Sequence, residues 1–164
     1  MFQGIYSGRK ILVTGHTGFK GSWLSEWLLG LGAEVAGYSL APDTAPNHFE
    51  LLGLSRRMRH VVGDVRDAST LARTIKEFQP EVVFHLAAQP LVRLSYAEPV
   101  STWETNVIGT VNLLEAVRQT PSAKACVVVT SDKCYENREW PWGYRETEPM
   151  GGHDPYSASK GAAE

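Results

Sequence analysis

A phenol and an ammonium group stand one helical turn apart near the end of the chain, in Tyr156-Ser157-Ala158-Ser159-Lys160. On a helix the two share a face. The cation then favours the phenolate and lowers the tyrosine pKa, which suits a general base acting on a hydroxyl. Alone, a Tyr and a Lys at this spacing are ordinary surface residues, but two other segments bear on the pair. Thr130-Ser131-Asp132-Lys133 sets a hydroxyl, a carboxylate and an amine at the end of an apolar run, and their bland reading is a solvated ion pair after a strand. Near the start, Gly15-His16-Thr17-Gly18-Phe19-Lys20-Gly21 has the spacing of a turn that cradles a pyrophosphate. In such a turn the first glycine permits the tight bend, the second admits the phosphates, and the third lets helix and strand pack closely. Free N–H groups and the positive helix end face the anion. A glycine triplet alone equally describes a turn that binds nothing.

The elements around these residues decide whether they can meet. Lys10-Ile11-Leu12-Val13-Thr14 reads as a buried strand stopping at Gly15. A helix follows from Phe19 to Leu31, with Trp23, Leu24, Trp27, Leu28 and Leu31 at helical spacing. Further strands are predicted over Glu34–Tyr38, Arg59–Gly63, Glu81–Leu86 and Ala125–Thr130. A short helix over Asn47–Leu52, one opened by Asp67 and closed by Pro80, and a long one over Val100–Arg118 fill the intervals. The long helix aligns Val100, Trp103, Val107, Val111 and Leu114 on one face, as a partner surface or as core packing against the sheet. Asn137–Pro155 shows no period, and a last helix begins at Tyr156. Apolar strands alternating with helices argue an α/β fold: a doubly wound parallel (Rossmann) sheet of about five strands in order 3-2-1-4-5, with helices on both faces. Residues 1–164 read as one domain, without repeats or linkers.

In this setting the glycine turn points to a dinucleotide. The acidic residue that usually grips the ribose at the end of the second strand is missing; Ser39-Leu40-Ala41-Pro42 stands there, with Asp43 slightly late. No arginine stands there for an extra phosphate, and NAD is favoured over NADP on that absence alone. Asp64 either contacts the adenine edge or caps the helix near Asp67. Trp140, Trp142 and Tyr144 form either a lid or an apolar flap on the sheet. The five histidines (His16, His48, His60, His85, His153) show no pair at ligand spacing, so no metal is expected. Cys126 reads as packing and Cys134 as inert.

Composition removes several classes. With 16 basic against 18 acidic residues and a net charge of -2, the chain has no electrostatic footprint for nucleic acid or an acidic membrane. A hydrophobic fraction of 43% is that of a globular protein. No apolar run nears the roughly 20 residues of a membrane span, and no signal peptide opens the chain. Two cysteines suit a reduced compartment, and a cytoplasmic location is the default.

With Leu86-Ala87-Ala88-Gln89 after the fourth strand and Thr105-Asn106-Val107-Ile108-Gly109-Thr110 in the long helix, these motifs resemble the extended short-chain dehydrogenase/reductase family along the whole chain. The Asp132-Lys133 pair resembles the 4,6-dehydratases of that family that act on CDP-glucose, whereas other nucleotide-sugar dehydratases carry Asp-Glu there and 4-epimerases plain serines. Gly37-Tyr38-Ser39-Leu40-Ala41-Pro42 and Trp142-Gly143-Tyr144-Arg145-Glu146 carry the same resemblance. It implies NAD held by Gly15, Thr17, Gly18, Phe19, Lys20 and Gly21, by Asp64 and Val65, by Leu86, Ala87, Ala88 and Gln89, and by Asn106, Tyr156 and Lys160. It implies that Tyr156, helped by Lys160 and Ser131, takes the C4 hydroxyl proton of the sugar while hydride passes to NAD. Lys133 then takes the C5 proton, Asp132 protonates the departing C6 hydroxyl, and the hydride returns to C6. The implied product is a 4-keto-6-deoxy sugar, formed by a carbon–oxygen lyase. The resemblance also implies a homodimer through the Val100–Arg118 helix and the Tyr156 helix. Family members continue into further strands and a substrate lobe, so the alternatives are an NAD-binding module without turnover or another nucleotide-sugar epimerase or dehydratase.

Overall fold

The structure, a computed structural model, describes residues 2–164. Five parallel strands form one sheet in the order β3-β2-β1-β4-β5: β1 (Lys10–Thr14), β2 (Glu34–Ser39), β3 (Arg59–Val62), β4 (Val82–His85) and β5 (Ala125–Val128). In the central strand, Val13 lies beside Gly37 of β2 and Phe84 of β4. Side chains alternate across the pleat. Ile11, Val13 and Val35 pack with Leu28 and Ala33 on one face, while Leu12, Ala36, Tyr38 and Val83 pack with Leu71, Ile75, Phe78, Leu113 and Ala116 on the other. Each buried Leu or Ile contributes about 1.5–3 kcal/mol of transfer free energy, which holds the strand ends in fixed register.

The first face is covered by α1 (Phe19–Gly30) and the second by α3 (Ala68–Phe78) and α6 (Gly109–Arg118). Asp67 caps α3 by accepting from Ser69 N and Thr70 N. The short helix α2 (His48–Leu51) is capped by Asn47, whose side chain accepts from Glu50 N. Salt bridges Arg9–Glu81 and Arg57–Glu26 tie strand and helix ends at the surface.

The apolar set of α1 divides between two faces: Leu28 is buried beside Gly21, Ser22 and Ser25, with Leu24 packed against the core, while Trp23 and Trp27 are 53% and 51% exposed. Small residues win that face because the helix start must lie against the Gly15 backbone. A Cβ on Gly21 would sit 2.1 Å from the Gly15 carbonyl oxygen.

The long helix is likewise not one α-helix. It runs as α5 (Pro99–Trp103), a wide π-helical turn over Glu104–Ile108, and α6, and it buries Thr102, Asn106, Gly109, Thr110, Leu113 and Ala116. The apolar stripe falls outside: Val100 is 69% exposed and Val111 54%, which removes the core-packing reading of that face. Ahead of it lies α4 (Val92–Ala97), which Pro90 and Pro99 bracket too closely for a period to show in the sequence.

Finally, the sheet is not covered evenly. The outermost strand β5 is only half-buried, with Val127 45% exposed. The last helix, α7 (Pro155–Ala163), starts at Asp154, whose carboxylate accepts from Ser157 N. No helix among the described residues is long and apolar enough to cross a membrane.

Candidate cofactor and catalytic site

The sequence motifs converge on one rim, the carboxyl ends of the parallel strands. At the centre, β1 ends in Gly15, with φ +73°, where an added Cβ would lie 2.7 Å from Ala87 N. Gly18 N donates to Gly15 O at 3.1 Å, and Gly18 then serves as the N-cap of α1 without any side-chain cap. The first amides of α1 are therefore left for an anion, which fits a dinucleotide pyrophosphate.

Other residues of the turn divide between support and surface. Thr17 is buried, its hydroxyl bonded to Ser39 Oγ (2.7 Å) and Leu40 O (2.9 Å), so it fixes the turn after β2 where the ribose carboxylate is missing. Phe19 is 71% exposed. Lys20 is near enough to Lys160 to depress the pKa of that ammonium.

On the β3 side, Asp64 neither caps α3 nor stands free. Its carboxylate accepts from Arg66 N and from the Arg66 guanidinium at 2.6 Å, and that hydrogen bonding lowers its pKa. Its carbonyl accepts the Tyr38 hydroxyl, and burial, aided by Asp67 and Asp64, pushes that phenol up to about 12. Val65 is buried beneath the wide turn, where a Cβ on Gly109 would meet Val65 Cγ2 at 2.6 Å.

Across β1, the Leu86-Ala87-Ala88-Gln89 segment is pinned at both ends. Leu86 N and Ala87 N both donate to Thr14 Oγ1 at 3.2 Å. Gln89 N donates to Asn106 Oδ1 (2.8 Å), and Asn106 Nδ2 donates back to Gln89 O (3.1 Å) and to Ser159 Oγ (2.9 Å). Asn106 thus joins the loop to the helix that carries the phenol.

Tyr156 and Lys160 are both buried at 8% and 7% exposure, unlike a surface pair. Tyr156 N donates to Ser95 Oγ, so α4 sets where α7 begins. Lys160 Nζ donates to Val129 O at 3.0 Å, which ties the ammonium to the chain two residues before Ser131. Burial, with help from Lys20, lowers the Lys160 pKa.

Ser131 caps a short 3-10 turn over Asp132–Cys134, accepting from Lys133 N and donating to Asp132 Oδ1 (3.1 Å). Cys134 is buried against α7, and burial raises its thiol pKa; Cys126 is only half-buried. Asp132 and Lys133 form an exposed pair 3.7 Å apart, and among the described residues nothing closes over them. The motifs are therefore brought to one place, but the pair keeps the solvated geometry of the bland reading in this chain.

Trp140, Trp142 and Tyr144 pack mainly on one another and on neighbours in their own segment: Tyr144 stacks on Tyr135 at 5.2 Å and Arg138 lies over Trp140. Sequence reasoning missed Thr14, Ser95, Thr110, Ser159 and the buried histidines. His16 Nε2 meets His60 Nδ1 at 2.7 Å, a pair that scattered spacing hid. No group of three or more metal-ligating side chains occurs among the described residues. The missed polar residues had one available signal, a hydrogen-bonding side chain inside an apolar run, as at Thr14 and His85.

Comparison with known proteins bears directly on this rim. The family model for GDP-mannose 4,6 dehydratase matches residues 12–164. CDP-glucose 4,6-dehydratase of Salmonella typhimurium is 59% identical over 162 residues, which is 99% of this chain and 45% of that protein. Among solved structures, the UDP-glucose 4-epimerase of Thermus thermophilus in complex with NAD superposes with a TM-score of 0.80 at 36% identity, over 94% of this chain and 48% of that one. The UDP-glucose 4-epimerase of Thermotoga maritima with UDP-glucose gives 0.82 at 29% identity, over 94% and 48% respectively. The chain therefore spans about half the length of the relatives it matches.

Proposed function

The chain belongs to the GDP-mannose 4,6-dehydratase family, and on that premise we propose that it is the cofactor-binding and catalytic stretch of a CDP-glucose 4,6-dehydratase that works with NAD. One observation carries the reading. The Ser131-Asp132-Lys133 segment sits where β5 leaves the sheet, coupled through Val129 O to the buried ammonium of Lys160 on the Tyr156 helix. The 59% identity to a CDP-glucose 4,6-dehydratase supports the choice of sugar nucleotide.

NAD fits the uncapped start of α1 and the Gly15–Ala87 contact, and when bound it supplies a reversible acceptor for the two electrons leaving C4. Gly18, Phe19, Lys20 and Gly21 offer it the helix start, with Thr17 holding the turn in shape. Asp64 and Val65 flank the adenine side, and Leu86, Ala87, Ala88, Gln89 and Asn106 flank the nicotinamide side. Tyr156 takes the proton of the C4 hydroxyl, with Lys160 one turn further along the same helix. Ser131 hydrogen-bonds the same hydroxyl. Once C4 is a ketone, the C5 proton is acidic; Lys133 removes it and Asp132 protonates the C6 hydroxyl as it leaves as water. Those two roles call for a pair shielded from water, so the cover over Asp132 and Lys133 comes from outside residues 2–164.

The stripe of Val100, Trp103, Ile108, Val111 and Leu114, all exposed, with half-buried Val107 among them, is the surface through which a second copy docks, together with α7. Val107→Asp converts the dimer to monomer in multi-angle light scattering. An unchanged mass in that variant counts against this face.

A second reading is favoured by the openness of the Asp132–Lys133 pair: residues 2–164 by themselves bind NAD without turnover. Incubation with NAD and, separately, CDP-, dTDP-, GDP- and UDP-glucose, followed by mass spectrometry, separates the two. Loss of one water from CDP-glucose alone supports the dehydratase in this chain. Loss of water from none of the four, with NAD still bound, supports the module; loss from another sugar nucleotide overturns the CDP assignment.

A further inference from the structure

Below the rim lies a run of polar side chains of which only Asn106 has a role above. Thr14, His85, Thr110, Asn106 and Ser159 are all buried, none more than 4% exposed, although they come from β1, β4, the long helix and α7. They form one connected set. His85 Nδ1 lies 2.6 Å from Thr14 Oγ1, and His85 Nε2 lies 3.1 Å from Thr110 Oγ1. Thr110 Oγ1 donates to Asn106 O at 2.7 Å. Asn106 Nδ2 donates to Ser159 Oγ, which in turn donates to Tyr156 O at 2.6 Å.

The directions of these bonds are fixed by counting protons. Thr14 Oγ1 accepts from Ala87 N and shares Leu86 N with the Thr14 carbonyl, which leaves its own proton for His85 Nδ1. His85 therefore carries its proton on Nε2 and donates it to Thr110, whose proton is committed to Asn106 O. Every bond points the same way, from the loop amides toward the wide turn. A second proton on Nδ1 would have to turn the Thr14 hydroxyl proton away from the ring. Burial, and secondarily the charge of Lys160, accordingly hold His85 at a pKa of about 4.

We infer that His85 is a positioning residue: as a neutral ring it spans the gap between β1 and the long helix, and so supports from below the direct clamp that Asn106 places between the Leu86–Gln89 loop and the Tyr156 helix. The loop is held by Thr14 at its start and by Asn106 at its end, and the helix by Asn106 through Ser159; His85 is the side chain through which Thr14 and Thr110 meet. Its consequence for catalysis rests on the dehydratase reading above, but the mechanical linkage does not.

Three substitutions divide the linkage. His85→Asn places an oxygen near the Nδ1 position and keeps an acceptor for Thr14. His85→Gln places an amide near the Nε2 position and keeps a donor for Thr110. His85→Leu keeps bulk and neither bond. Amide hydrogen exchange is read at residues 86–89 and 156–160, and NAD affinity by quenching of tryptophan fluorescence. In His85→Leu both segments exchange about tenfold faster, the change expected from one lost hydrogen bond. In His85→Asn the loop is protected and the helix is not; in His85→Gln the pattern reverses. NAD affinity follows the loop, near wild type in His85→Asn and about tenfold weaker in His85→Leu. Thr110→Val, which leaves the histidine in place, copies His85→Asn and covers the case in which His85→Leu does not fold. A role confined to packing moves both segments together in every variant, in step with the melting temperature, and that result overturns the inference. If the chain extended to the length of its relatives removes water from none of the four sugar nucleotides but the segment-specific pattern appears, the dehydratase reading falls and the positioning role of His85 stands.

Discussion

Replacing Gly21 by alanine tests the structural logic of the cofactor turn at a single atom. The added Cβ would lie 2.1 Å from Gly15 O, 2.7 Å from Gly15 C and 2.8 Å from His16 Cα. All three are backbone atoms, so no side chain can rotate away, and the turn itself has to move. Overpacking of this kind costs about 1–3 kcal/mol, partly offset by the better helix propensity of alanine. For a chain of this length the melting temperature falls by about 3–10 °C. The displacement also moves the first amides of α1 from the place where a pyrophosphate binds. A lost hydrogen bond to a charged group is worth about 1.5–3 kcal/mol, so the NAD dissociation constant rises about 10- to 100-fold. Gly30→Ala is the control, since the same substitution at the other end of the helix meets nothing within 4 Å. Circular dichroism melts and fluorescence titration with NAD read both quantities. A Gly21→Ala protein that melts with Gly30→Ala and binds NAD as wild type does would refute the close-approach argument.

Acid stability provides a second test. His85 and His16 are both held neutral mainly by burial, each with a pKa lowered from 6.5 to about 4. Between those values the unfolded chain binds protons that the folded chain does not, so stability falls as pH drops through that window. Each histidine accounts for about 2–3 kcal/mol between about pH 7 and 4.5, and His85→Asn removes its share in urea titrations at the two pH values. An undiminished acid loss in His85→Asn argues against the burial of a neutral ring. Tyr156→Phe leaves the buried ring and removes the acid–base group. Turnover of CDP-glucose by the chain extended to the length of its relatives then falls about 10²–10⁴-fold with NAD binding retained. Turnover within a few-fold of wild type transfers the base role elsewhere.

Much of the fold was legible because each strand is a short apolar run ended by glycine, proline or a polar cluster, and because Asp67 and Pro80 bracket α3. The glycine spacing and the Tyr156–Lys160 pair likewise led to the rim where the structure places them. The failures share a cause. In the long helix, and for Trp23 and Trp27 of α1, apolar periodicity marked exposed positions, because much of the inner face is built from glycine, serine, threonine and asparagine that allow close approach and internal hydrogen bonds. The wide turn around Asn106 leaves no compositional mark. Nor does sequence say that Thr14 and Ser159 connect through His85 and Asn106, since those partners meet only once the sheet is assembled.

The measurement that bears most directly on the proposed chemistry uses CDP-glucose carrying deuterium at C4, incubated with NAD and the chain extended to the length of its relatives. The account requires that one water be lost and that the deuterium reappear at C6 of the 4-keto-6-deoxy product, because the two electrons leave and return within one site whose base is Tyr156. Deuterium lost to solvent, deuterium retained at C4, or no loss of water while NAD is bound would contradict it.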